Sequence, residues 1–332
     1  MKPNPIFSTV PFDRDGVHHG FLRLPYSRDD SAWGSLMIPI CVARNGDGPT
    51  ALLTGANHGD EYEGPIALQN LAYNIDAADI TGRVIIVPAF NYPAFRAGTR
   101  TSPIDSGNMN RAFPGRPDGT VTEKIADYFQ RTLVPMADVV LDIHAGGKTL
   151  DFVPFAAAHV LEDKHQQKAC VAAMQAFGAP YSMMLLEIDN TGMYDTAVEG
   201  QGKIFVSTEL GGGGTASANT INIAKRGVRN LLIHTGIQKG ELEVSPSIAL
   251  DMPDDDCFVF CEHDGLIEFN VELGDSIKNG DVLARVWPLD RTGVSAVEYR
   301  AKHDGIVAGR HFPGLVKSGD FLSMIANLTE AG

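Results

Sequence analysis

Cysteine is scarce in this chain, with four residues among 332, and Cys257 and Cys261 make the single close pair. In an extended strand a four-residue spacing covers roughly 13 Å, too far for an easy disulfide. The expectation is therefore reduced, partly buried thiols rather than a cross-linked framework. Positive charge is also thin. The 27 Lys and Arg residues stand against 41 Asp and Glu, a formal charge of −14, and no basic block offsets the excess locally. That balance argues against a nucleic-acid partner but names no substrate. No segment has the roughly 20 consecutive apolar residues of a membrane span, and residues 1–14 lack a secretory apolar stretch, so a cytoplasmic protein without a membrane partner is expected.

What is present is the patterning of an α/β protein. Apolar runs at Ala51–Thr54, Arg83–Pro88, Val139–Ile143 and Ile204–Thr208 read as strands. They alternate with helix-compatible stretches at Pro65–Tyr73, Glu123–Leu133, Glu162–Phe177 and Asn219–Ile237. Such alternation predicts a sheet covered by helices. Ser35–Ala43 predicts a further strand leading into it. Near Ser245 the character changes: Pro246, Pro253 and the acidic run Asp254–Asp256 precede a β-rich tail. A soft boundary there divides residues 1–245 from 246–332. Within the tail, His263-Asp264-Gly265 and Asn279-Gly280-Asp281 are echoed by His303-Asp304-Gly305 and Ser318-Gly319-Asp320. Short strands around glycine turns predict a small β-barrel or sandwich with pseudo-twofold symmetry. The two histidines read as turn residues, with metal binding the minor alternative.

Chemistry-bearing residues gather just beyond the strands, where open α/β sheets bind ligands. Asn57-His58-Gly59-Asp60-Glu61 follows the first strand and places an imidazole and a carboxylate three positions apart. His144 follows the third strand, 83 residues after Glu61, and completes a His-Glu-His set. Three protein ligands leave zinc a fourth position for water, the arrangement of a catalytic site. One Zn²⁺ per chain is expected. Glu209 follows another strand and precedes Gly211–Gly214, as a general base beside a metal would. Asp142 is read first as a local hydrogen-bonding group and second as one that orients a ligand. Arg100 and Arg111 suit carboxylate binding or oxyanion stabilisation, and Asn110 can donate an amide hydrogen bond without adding charge.

These motifs together resemble the succinylglutamate desuccinylase and aspartoacylase family, whose catalytic core is similar to that of zinc carboxypeptidases. Gly55–Glu61 resembles the family's first metal motif, Leu141–His144 its final-ligand strand, Asn108–Gly115 its substrate-binding segment and Glu209-Leu210-Gly211 its catalytic glutamate. The resemblance spans roughly residues 48–325. It implies a zinc-carboxypeptidase-like central mixed sheet and amide hydrolysis of a small N-acylated amino acid. Glu209 would then transfer the proton, Arg100 stabilise the oxyanion, and Asn110 and Arg111 hold the α-carboxylate. Within the family the whole chain is similar to members that release acetate. The resemblance also makes a homo-oligomer plausible. Two departures stand out: Asn108 occupies a position commonly held by Asp, and Arg100 lies farther upstream of Asn110-Arg111 than the family's oxyanion arginine does.

Overall fold

The structure, a computed structural model, describes residues 2–329. Its centre is a run of strands whose sequences are apolar at successive positions, so that side chains alternating between faces are buried on both. Leu53, Leu141 and Val206 feed one core with Leu68, Phe177 and Leu231 from the covering helices. Their neighbours Leu52, Val140 and Phe205 feed the opposite core with Phe90, Phe129 and Tyr194. Burying both faces explains why these strands show unbroken apolar runs instead of alternation.

Strand Thr50–Gly55 lies between Gly82–Val87 and Val139–His144, parallel to both. Ile204–Glu209 pairs parallel with Val139–His144 and antiparallel with Phe155–Ala158. The sheet is thus mixed. Gly16–Pro25 and Ser35–Asn45 extend it on one side as antiparallel strands. Helices Glu63–Asn74, Lys164–Phe177 and Ala218–His234 cover a face. The last begins at a capping box in which Ser217 accepts from the Thr220 amide at 3.0 Å, satisfying one of the first-turn donors.

The tail does not stand apart from this sheet. Ile248–Asp251 pairs parallel with Tyr181–Met184 and antiparallel with Phe321–Leu328, so hydrogen bonding runs continuously from the central strands into the tail. A separate four-stranded sheet contains Gly265–Phe269 and Val282–Trp287. The internal echo has a structural counterpart: Asp264 accepts from the Ser318 amide at 2.8 Å, and Asp304 accepts from the Asn279 amide at 2.9 Å. Each His-Asp-Gly unit ties down the glycine turn of the other half. His263 meets the Tyr299 hydroxyl at 2.7 Å, a packing role. All four cysteines are free and buried.

Candidate metal centre and active site

His144 and Glu209 are the last residues of their strands and lie opposite each other in the parallel register, which puts two distant segments side by side. The loop after Gly55 brings His58 and Glu61 to the same end of the sheet. That loop is tight. Ala56 adopts φ +50°, and a side chain on Gly59 would overlap the backbone of Ala94 and Phe95. A similar approach recurs at Gly212, where a side chain would strike the Leu150 carbonyl. Glycine meets both requirements because it has no Cβ.

Glu61 bridges the two histidines: its Oε1 lies 2.7 Å from His58 Nδ1 and its Oε2 lies 3.0 Å from His144 Nδ1. Ligand atoms of the three residues all fall within 4.8 Å of one another. His144 Nε2 sits 2.7 Å from Asp142 Oδ2, and a carboxylate only accepts, so Nε2 carries a proton. The remaining nitrogen, Nδ1, then faces another acceptor, the Glu61 oxygen. A proton or a cation must lie between them. Two imidazoles and a carboxylate converging in a buried pocket are a donor set that zinc accepts, and the residues fit the ion.

Asp142 is itself held, accepting from Thr54 Oγ1 at 2.7 Å and Asn57 Nδ2 at 2.8 Å. The ligand-orienting reading of Asp142 is the one this geometry favours, since all its bonds converge on fixing the His144 ring. Burial opposes the charges here. It lowers the His58 pKa, whereas on His144 the charges of Asp142 and Glu61 overcome it and raise the pKa well above the ordinary value. Burial likewise works against the Glu61 charge, but the two histidines hold its pKa far below the usual carboxylate range.

The metal-type cluster opens onto a cavity of about 300 Å³ that also meets Glu209, Arg100, Asn110 and Arg111. His58, His144, Glu209, Arg100, Asn110 and Arg111 therefore line one cavity, and Glu61 touches the two histidines that do. Glu209 has a buried oxygen, Oε2, with no hydrogen-bond partner, and burial reinforced by the Glu61 charge pushes its pKa up to about 8. Arg100 is 3.9 Å from Glu61 and half-exposed. Arg111 bonds the Asn110 carbonyl at 2.6 Å. Asn110 uses its side-chain oxygen to accept from the Tyr194 amide at 3.0 Å and from Asn57 at 3.3 Å, which leaves its NH₂ group to meet a ligand.

Several cavity residues escaped the sequence reading. Phe258, Phe260, Phe321 and Met324 come from the tail and form part of the wall, so the tail shapes the site. Glu187, Asp189 and Asp195 add acidic groups from a segment without strand or metal-motif signals. Glu63, beside the metal loop, is buried and accepts from Thr220 at 2.9 Å, with burial raising its pKa to about 7. Only the adjacency of Glu63 to Glu61 hinted at any of these.

Residues 47–235 match the succinylglutamate desuccinylase/aspartoacylase catalytic domain. The chain belongs to this family. It is 58% identical to the N-alpha-acetyl-L-2,4-diaminobutyric acid deacetylase of Halomonas elongata, across 100% of this chain and 97% of the relative. The product-bound ectoine utilization protein EutE (DoeB) of Ruegeria pomeroyi shares 69% identity at a TM-score of 0.97, covering 98% of this chain and 100% of that one. A succinylglutamate desuccinylase/aspartoacylase from Rhodobacter sphaeroides shares 35% identity at a TM-score of 0.94, covering 99% and 100%. The large mixed sheet with its helices is thus the family fold, and the chain is an enzyme of this hydrolase family.

Proposed function

We propose that the chain is a zinc-dependent deacetylase that hydrolyses N-alpha-acetyl-L-2,4-diaminobutyrate to acetate and L-2,4-diaminobutyrate in ectoine degradation. Likeness along the whole chain to a deacetylase of that substrate supports the reaction. The observation that carries the mechanism is one cavity joining the His58-Glu61-His144 cluster to Glu209. His58, Glu61 and His144 would hold the ion. Bound there, zinc supplies Lewis-acid polarisation and an acidified water.

The chain's own residues do the rest. Glu209 takes a proton from the water as its oxygen bonds to the acyl carbon, then delivers that proton to the nitrogen as the C–N bond breaks. Arg100 offsets the charge developing on the acyl oxygen. Arg111 and the Asn110 amide hold the α-carboxylate, fixing the amide relative to Glu209. Asp142 keeps His144 in the tautomer that presents Nδ1.

A panel of N-acyl amino acids assayed together with elemental analysis tests this reading. Acetate release from N-alpha-acetyl-L-2,4-diaminobutyrate with one zinc per chain is expected. Faster release of succinate from N-succinyl substrates, or of amino acids from peptides, would replace the deacetylase reading with a desuccinylase or carboxypeptidase one.

The finer architecture belongs to the same proposal. Residues 1–245 form a zinc-carboxypeptidase-like catalytic unit, and 246–332 a β-rich unit of barrel or sandwich type, for which the reciprocal Asp264 and Asp304 bonds are support. Four free, buried cysteines suit a reducing cytoplasm. A homo-oligomer completes the reading.

A further inference from the structure

Beside the metal-type cluster lies a second group of ionisable side chains, His159, Glu187, Asp195 and Glu199. His159 Nδ1 is 2.9 Å from Glu199, and its Nε2 is 3.5 Å from Glu187. Nε2 is buried and has no hydrogen-bond partner, although it faces the carboxylates of Glu187 and Asp195 closely enough for all three ligand atoms to fall within 4.8 Å. Three carboxylates thus confront one imidazole. Among the described residues, no lysine or arginine forms an ion pair with any of them. A group so unbalanced and so buried is short of a cation.

Glu187 and Asp195 reach the active-site cavity as well as the neighbouring one that holds His159 and Glu199. Asp195 is 6% exposed, and the Glu187 side chain 23%, so a positive group arriving from the cavity would meet partly desolvated carboxylates. The deacetylase reading supplies such a group. N-alpha-acetyl-L-2,4-diaminobutyrate carries, besides its α-carboxylate and acetamide, a primary amine on C4 that is protonated at neutral pH. The two arginines suit the anionic and acyl ends of this molecule, and neither suits its ammonium.

We propose that Glu187 and Asp195 form an anionic subsite that receives the protonated 4-amino group of the substrate. His159, bonded to Glu199, positions Glu187 from behind. The subsite rests on the deacetylase reading and deepens it, because it accounts for choice of headgroup: the carboxylates that attract an ammonium repel the side-chain carboxylate of an aspartate or glutamate derivative. An ammonium held between fixed carboxylates also limits rotation of the substrate about its side chain.

The experiment compares N-alpha-acetyl-L-2,4-diaminobutyrate with N-acetyl-L-norvaline, in which a methyl group replaces the ammonium. In the native enzyme the ratio of kcat/KM should favour the cationic substrate by about 10- to 100-fold, and Glu187→Gln should cut that ratio by roughly tenfold. Asp195→Asn should act in the same direction, and Glu187→Gln carries the test alone if that variant fails to fold. Calorimetric binding of the products L-2,4-diaminobutyrate and L-norvaline should show the same loss of discrimination without depending on turnover. An unchanged ratio in a folded Glu187→Gln overturns the subsite. So does a native enzyme that hydrolyses both substrates equally, which leaves the deacetylase reading standing. Turnover of neither substrate, with activity on another N-acyl amino acid, overturns the deacetylase reading and the subsite with it.

Discussion

Two buried groups of histidine and carboxylate lie along one cavity system, and they use the same side chains for opposite ends. In His58-Glu61-His144 two imidazoles share a single carboxylate, and each presents Nδ1 to it. In His159-Glu187-Asp195-Glu199 one imidazole serves three carboxylates. Burial opposes the His159 charge, but Glu187 and Glu199 raise its pKa to about 10, so it stands as a fixed cation. The first stoichiometry supplies two nitrogen donors and one shared carboxylate, a set that suits a metal, and the second spends its one imidazole on charge balance. Ligand-atom proximity alone does not separate them, since both satisfy the same distance limit. The ratio of bases to acids does.

The comparison is sharpest under substitution. His144→Ala should remove most of the bound zinc and nearly all hydrolysis, whereas His159→Gln should leave zinc content intact, as measured by elemental analysis on both purified variants. Loss of zinc from His159→Gln would erase the distinction. Next in size, Glu209→Gln should retain zinc and melting temperature while losing roughly two to four orders of magnitude in acetate release. Near-normal acetate release from zinc-loaded protein would require another proton carrier.

A smaller effect belongs to the residue behind His144. Asp142→Asn should weaken zinc affinity about 10- to 100-fold, read by chelator competition, because an amide no longer fixes the ring proton with a charge. Smaller still is the stability effect of His159. Its folded pKa of about 10 exceeds the ordinary histidine value of 6.5, so its contribution is fully present below pH 6.5 and is lost as pH rises through 10. Asp195, raised by burial to about 6 from 3.8, loses its contribution in a lower window and does not overlap. Between pH 6.5 and 10 the native protein should therefore lose on the order of a few kcal/mol more stability than His159→Gln does. Parallel melting curves for the two across that range would show His159 to be uncharged in the fold.

The sequence by itself determined the central strands and their covering helices and marked His58, Glu61 and His144 as candidates, because these leave local signals, whereas short elements such as Phe155–Ala158, Tyr181–Met184 and Tyr194–Glu199 left none. A run such as Val139–Ile143 must be buried on both faces, and the polar residue that ends it, His144, must emerge at the sheet's end. His58, Glu61 and Glu209 were legible for the same reason, each set between an apolar strand and glycine. Tertiary structure alone decided the rest. Asp142 sits within an apolar strand, and only its meeting with Thr54, Asn57 and His144 turns it from a local hydrogen-bonding group into a clamp. The composition changes near Ser245, and only the structure shows that Ile248–Asp251 carries strand pairing past that point, since backbone pairing depends on register rather than composition. Glu187 and Asp195 have no motif around them, and Phe258 and Phe321 lie far along the chain from the metal loop. Their role depends on which cavity they line, and charge and shape around a cavity are sums over distant segments that no single stretch of sequence contains.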